Sequence, residues 1–182
     1  MRSNKLDLAF AHYKSNGVAK LNWHDQRPLI LLDIDGVINM FGRLGREQQQ
    51  IPPGIPVQYP PQIHASIARL AKIGQLIWCS TWLQLANTGL HSDLGLPELP
   101  LIEPLPENPT AILWKLNSVA KHLADWQTPI FWIEDGFRPQ VHTWAQQRSK
   151  QGRFTQLIDV RETGLVPQVV DQLERTLAHF AV

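Results

Sequence analysis

The side chains able to do chemistry fall into four short groups: Asp33 and Asp35 with Gly36 behind them, Ser80 and Thr81, Lys115 after Trp114, and the adjacent acids Glu134 and Asp135. Two carboxylates spaced i, i+2 can divide the work of nucleophile and proton donor. Carboxylates held so close together need a cation to keep the nucleophile ionised. Oxygen ligands of this kind suit a hard divalent ion such as Mg²⁺. His24 and Asp25 form a further polar pair, readable either as an acid/base or metal pair or as a polar loop before Pro28.

Each group follows an element that would hold it in place. Leu29 to Leu32 is a continuous aliphatic run, which suits a strand buried on both faces of a parallel sheet, and Asp33 is the first polar residue after it. A second such strand, Leu76 to Cys79, ends in Ser80 and Thr81, and a further strand, Ile130 to Ile133, ends in Glu134 and Asp135. In an open α/β sheet, ligands collect at the carboxyl ends of strands. Between these lie an amphipathic helix over Ile63 to Lys72 closed by Gly74, a helix over Trp82 to Leu94, a short strand near Leu99 to Ile102, and a helix with Thr110 as N-cap that carries Lys115. Pro139 to Lys150 reads as a helix with proline in its first turn. A strand ending at Val160 and a helix over Val166 to Phe180 close the chain. The alternation predicts an α/β domain over residues 28–182, with helices on both faces of a parallel sheet. Residues 1–27 form an N-terminal extension with a short helix over Lys5 to Lys14. The stretch from Met40 to Pro61 is rich in proline and glycine, so a long helix and a central strand are both disfavoured there.

Composition narrows the classes further. The chain has 182 residues, enough for one well-packed domain, and its net charge of +1 gives no global field for nucleic acid or membranes. The single cysteine, Cys79, rules out an intrachain disulfide framework and reads as a buried thiol. No apolar run reaches the roughly 20 residues that span a bilayer, and the N-terminus lacks the apolar core of a secretory signal, so a soluble cytoplasmic protein is expected.

DIDGV at Asp33 to Val37 resembles the first motif of the haloacid dehalogenase-like (HAD) superfamily. Ser80 at a strand end, Lys115 on a helix and the Glu134-Asp135 pair resemble its second, third and fourth motifs in the right order. The combination of WCSTW, LGLPELP, WK and WIED is similar to a bacterial group of small HAD proteins related to the HAD domain of some RNA-repair proteins. The resemblance implies a three-layer Rossmann-like fold with strand order 5-4-1-2-3. It also implies that Met40 to Pro61 holds a small flap, with no full cap domain.

For function, the resemblance implies a Mg²⁺-dependent phosphatase acting through an aspartyl-phosphate on Asp33, with Asp35 as proton donor and acceptor. Ser80, with Thr81 as alternate, and Lys115 would hold phosphate oxygens. Asp33, the backbone carbonyl of Asp35, and Asp135 would hold the metal, with Glu134 as a further ligand or an orienting group. The substrate would be a phosphorylated small molecule or a nucleic-acid end. The competing reading is a non-catalytic phosphate- or nucleic-acid-binding module on the same fold. Trp78, Trp82, Trp114 and Trp132 lie near the motifs, either as a stacking wall for a base or as core packing. Arg43 and Arg46 in the flap read as substrate contacts or as solvated loop charges. Arg138, Arg148, Lys150 and Arg153 read as a polynucleotide path or as a solvated helix face.

Overall fold

The computed structural model describes residues 21–22, 25–42 and 49–179. The helix expected over Lys5 to Lys14, together with His24, Arg43 and Arg46, lies outside the described residues. Asp25 pairs with Arg27 at 2.7 Å, as a loop residue before the first strand.

Four parallel strands form the centre: β1 (Leu29–Leu32), β4 (Gln75–Trp78), β5 (Ile130–Glu134) and β6 (Thr155–Asp159), in the order β4-β1-β5-β6. β1 is wholly inaccessible at every residue, as its unbroken aliphatic sequence requires. Burying each such side chain is worth roughly 1.5–3 kcal/mol. Side chains alternate between the two faces of a strand. Ile30, Leu32, Phe131 and Ile133 pack with helices α1 (Ile63–Ile73) and α5 (Pro167–Ala178). Leu29, Leu31, Ile130 and Trp132 pack on the opposite face with α3 (Trp114–His122) and α4 (Pro139–Lys150). The result is a sheet between two pairs of helices.

Between β1 and α1 the chain forms an antiparallel hairpin, β2 (Gln49–Ile51) and β3 (Ile55–Val57), separate from the main sheet. Ile51 and Val57 anchor it to the core. Tyr59 donates a 2.5 Å hydrogen bond to Asp93, and Gln49 adds a weaker one at 3.4 Å. The prolines that exclude this stretch from the sheet centre are compatible with so short and peripheral a ribbon.

The structure corrects several local expectations. The strand near Leu99 to Ile102 is a single bridge, Trp78 to Leu101, held by the Trp78 amide on the Pro100 carbonyl and the Ile102 amide on the Trp78 carbonyl. Pro97, Pro100 and Pro104 crowd the segment and lack the amides that a longer ladder needs. The helix expected from Trp82 to Leu94 is broken into a 3-10 turn at Leu83–Asn87 and a short helix α2 (Leu90–Asp93). Gly89 lies between them because a Cβ there would sit 2.0 Å from the Pro52 carbonyl oxygen of the hairpin. Helix α3 starts at Trp114 with Leu113 as its N-cap, so Thr110 lies in the preceding turns and caps nothing. Gly74 does end α1, but with an extended backbone. Its glycine is required by close approach, since a Cβ would lie 2.7 Å from Ile30 and 2.8 Å from the Pro28 carbonyl.

Arg148 also departs from expectation. It is buried and gives its guanidinium to the Leu123 and Trp126 carbonyls and the Thr155 hydroxyl. It is therefore an internal strut tying α4 to the end of α3 and to β6, and not part of a solvated face. Arg153 likewise bonds the Ala124 carbonyl. Among the described residues no helix is long and apolar enough to cross a membrane.

Candidate functional site

The alternation that builds the core continues into the acidic residues. Leu29, Leu31 and Asp33 project to one face, as do Ile130, Trp132 and Glu134. The β1–β5 register ends at Leu32 opposite Ile133, and the Asp33 amide donates to the Ile133 carbonyl at 3.2 Å, so Asp33 comes to lie beside Glu134. Helix α3 packs on that same face, and Lys115 stands in its first turn.

Lys115 lies between the two acids. Its Nζ is 3.0 Å from Asp33 Oδ2 and 2.6 Å from Glu134 Oε1. The other Glu134 oxygen accepts from the Trp132 indole N–H at 3.2 Å. Both carboxylates are buried, at 5% exposure for Asp33 and 8% for Glu134. Burial first, then the neighbouring Asp33, pushes the Glu134 carboxyl up to about 9 against the pull of Lys115. Burial draws the Lys115 ammonium down, but Asp33 and Glu134 outweigh it and the net shift is upward. One ammonium facing two buried carboxylates leaves negative charge in excess, which is why the Glu134 carboxyl is raised.

Asp135 completes an acidic group. One carboxylate oxygen from each of Asp33, Glu134 and Asp135 lies within 4.8 Å of the others, a spacing that suits a shared cation. Asp135 reaches this position because the β1 loop yields to it. Gly36 has φ +79°, and a Cβ there would lie 2.3 Å from Asp135 Oδ2. Glycine is needed at this position on both counts. The Asp135 carbonyl in turn accepts from Arg161 Nε at 3.1 Å.

Asp35, two residues beyond Asp33, is half-buried and accepts from the Trp82 indole N–H at 2.9 Å. The Ser80 hydroxyl is buried and accepts from the Trp82 amide at 3.4 Å. Thr81 is exposed beside it, which makes it the more accessible of the two hydroxyls. Cys79 is buried behind Asp33, its amide on the Leu32 carbonyl, and burial pushes its thiol up into the neutral form.

The structure thus brings Asp33, Glu134, Asp135 and Lys115 together, with Asp35 two residues along from Asp33 and held by Trp82, and Ser80 and Thr81 on the adjacent strand end. Sequence reasoning missed the indole donors. Trp78, Trp82 and Trp132 are core residues, and two of them also aim their N–H groups at candidate acids. The signal for Trp132 was its position two residues before Glu134 on the same strand face. Trp82 carried no comparable signal, because its bond to Asp35 spans 47 residues of sequence.

Comparisons with protein-family models, with curated proteins and with solved structures find no match for this chain.

Proposed function

We propose that this chain is a Mg²⁺-dependent phosphatase of the haloacid dehalogenase type, with Asp33 as nucleophile. The observation that carries the reading is the convergence of Asp33, Glu134, Asp135 and Lys115 at two neighbouring strand ends, from stretches far apart in sequence. The order β4-β1-β5-β6, with the Leu101 bridge beyond β4, supports the five-strand order 5-4-1-2-3. The hairpin after β1 supports a small flap in place of a cap domain.

The residues fit a hard divalent cation. Three carboxylates crowd one lysine, a donor set whose negative charge is in excess and suits a divalent cation. Asp33 and Asp135 would hold the ion, with the Asp35 carbonyl contributing. Glu134, whose oxygens are already given to Lys115 and Trp132, would chiefly hold the lysine in position. When bound, Mg²⁺ would offset phosphate charge and keep the nucleophile ionised.

In the reaction, Asp33 Oδ would attack phosphorus while the P–O bond to the leaving group breaks. Asp35 would give its proton to the leaving oxygen, then take one from the water that hydrolyses the aspartyl-phosphate. The Trp82 indole holds Asp35 in place for both steps. Lys115 would stabilise the phosphoryl oxygens as charge shifts onto them, and Thr81 or Ser80 would bond another.

The test is phosphate release from nucleotides, sugar phosphates and phosphate-ended nucleic acids, with and without Mg²⁺. Wild type should be metal-dependent and Asp33→Asn inactive. Equal and negligible release by both proteins across the whole panel would overturn the reading. Tight binding without turnover, indifferent to Asp33→Asn, would favour the binding-module alternative.

A further inference from the structure

Beside the acidic group, on the face covered by α3 and α4, lies a cavity of about 190 Å³ that the mechanism above does not use. Lys115 and Glu134 line part of it, and Lys115 also pairs with Asp33, so the cavity adjoins the acidic group through these two side chains. Its other walls are largely aromatic. Trp132 lies buried at its base, while Trp114 and Phe137 are only half-buried, and Trp132 and Phe137 meet edge to face with ring centroids 5.8 Å apart.

Two further residues of the cavity present exposed side chains, Ile112 and Arg138. Ile112 is 76% exposed, far more than any other large hydrophobic side chain among the described residues. An exposed apolar side chain at the rim of a cavity lined by aromatic and charged groups can contact a bound ligand. Arg138 is exposed, and its guanidinium has no hydrogen bond or ion pair among the described residues. Of the other described arginines, Arg27, Arg69 and Arg161 pair with acids and Arg148 and Arg153 bond carbonyls, while Arg175, which does not line the cavity, resembles Arg138.

We propose that this cavity is the leaving-group subsite, taking a planar ring system next to the scissile phosphate, and that Arg138 meets a second negative charge on the same molecule. The proposal rests on the phosphatase reading. Flat rings gain from aromatic walls whatever their substituents, and arginine is suited to carboxylate and phosphate partners. The substrate class is therefore a phosphomonoester whose leaving group is aromatic and anionic. Sugar phosphates without a ring system would leave the cavity unfilled and the Ile112 side chain in water.

Two matched substrate pairs test this. Adenosine 5′-phosphate and ribose 5-phosphate share the leaving oxygen and differ in the base. The kcat/KM ratio should favour the nucleotide by about tenfold or more, and Trp114→Ala should bring that ratio close to one. The carboxylate of 4-carboxyphenyl phosphate is matched by its neutral amide. The ratio should favour the carboxylate by about threefold or more, and Arg138→Gln, a surface change that leaves the core intact, should remove the preference. Turnover without either preference would overturn the subsite while leaving the phosphatase reading in place. Absence of turnover on every compound would overturn both.

Discussion

Asp33 and Glu134 occupy the inner position at two adjacent strand ends, and Asp35 and Asp135 the outer one. The inner pair is buried and shares Lys115, whereas the outer acids are half-buried, one held by a tryptophan and the other fitted against a glycine. The difference follows from where the strands stop. Asp33 and Glu134 still continue the core face and meet helix α3 and its lysine, whereas Asp35 and Asp135 lie beyond the strands, where the chain has turned into the loops. Similar carboxylates are thereby placed in unlike surroundings, which is how one site can hold both a fixed nucleophile and a proton donor.

The largest expected effect separates the two aspartates. Asp33→Asn should lower phosphate release by more than about a thousandfold on every substrate. Asp35→Asn should cost roughly a hundredfold on alkyl phosphates, and less in kcat/KM on aryl phosphates whose leaving group needs no proton. Equal losses at the two positions on all substrates would abolish the distinction between inner and outer acids.

Next comes Gly36→Ala, which drives a Cβ into Asp135 and forces a strained backbone. It should reduce kcat/KM about a hundredfold by displacing a group that the site needs in place. Full activity with Mg²⁺ in this variant would show that Asp135 takes no part.

Trp132→Phe and Trp82→Phe remove the indole donors from the inner and outer acid respectively. Each should cost about tenfold in kcat/KM, as loss of a hydrogen bond to a carboxylate does, but by different routes. Trp132→Phe should act on phosphate binding through Lys115, raising KM, and Trp82→Phe should act on proton transfer, shifting the pH profile.

The smallest effect is on stability. Saturating Mg²⁺ should raise the thermal midpoint of the wild type by about 5 °C or more and that of Asp135→Asn by much less. Calorimetry in the presence of a chelator provides the baseline.

Much of this arrangement was legible because strand ends are marked by abrupt changes in residue type. Asp33 after four aliphatic residues and Glu134 after Ile133 announce themselves, and the four strands of the main sheet and the two C-terminal helices fall within a few residues of their sequence limits. The segment from Trp82 to Thr110 was not legible. Its apolar residues fit a helical period, but the break at Gly89 is imposed by the hairpin backbone, a long-range contact that no local pattern carries. Arg148 was misread for a related reason. An arginine on a polar helix looks solvated until three distant acceptors are known to surround it. The pairing of Lys115 with both Asp33 and Glu134 likewise depends on which face of the sheet α3 covers, and composition does not encode that.

The lone bridge at Leu101 has a consequence for life in a crowded solution. An outermost strand ordinarily offers its free amides and carbonyls to any passing chain, and such edges seed aggregation. Here the flank of β4 is taken by a proline-studded segment, with Pro100 immediately before the bridging residue and Pro104 soon after it. Such a border makes a poor template for another molecule's strand, so this side of the sheet is guarded against intermolecular zippering.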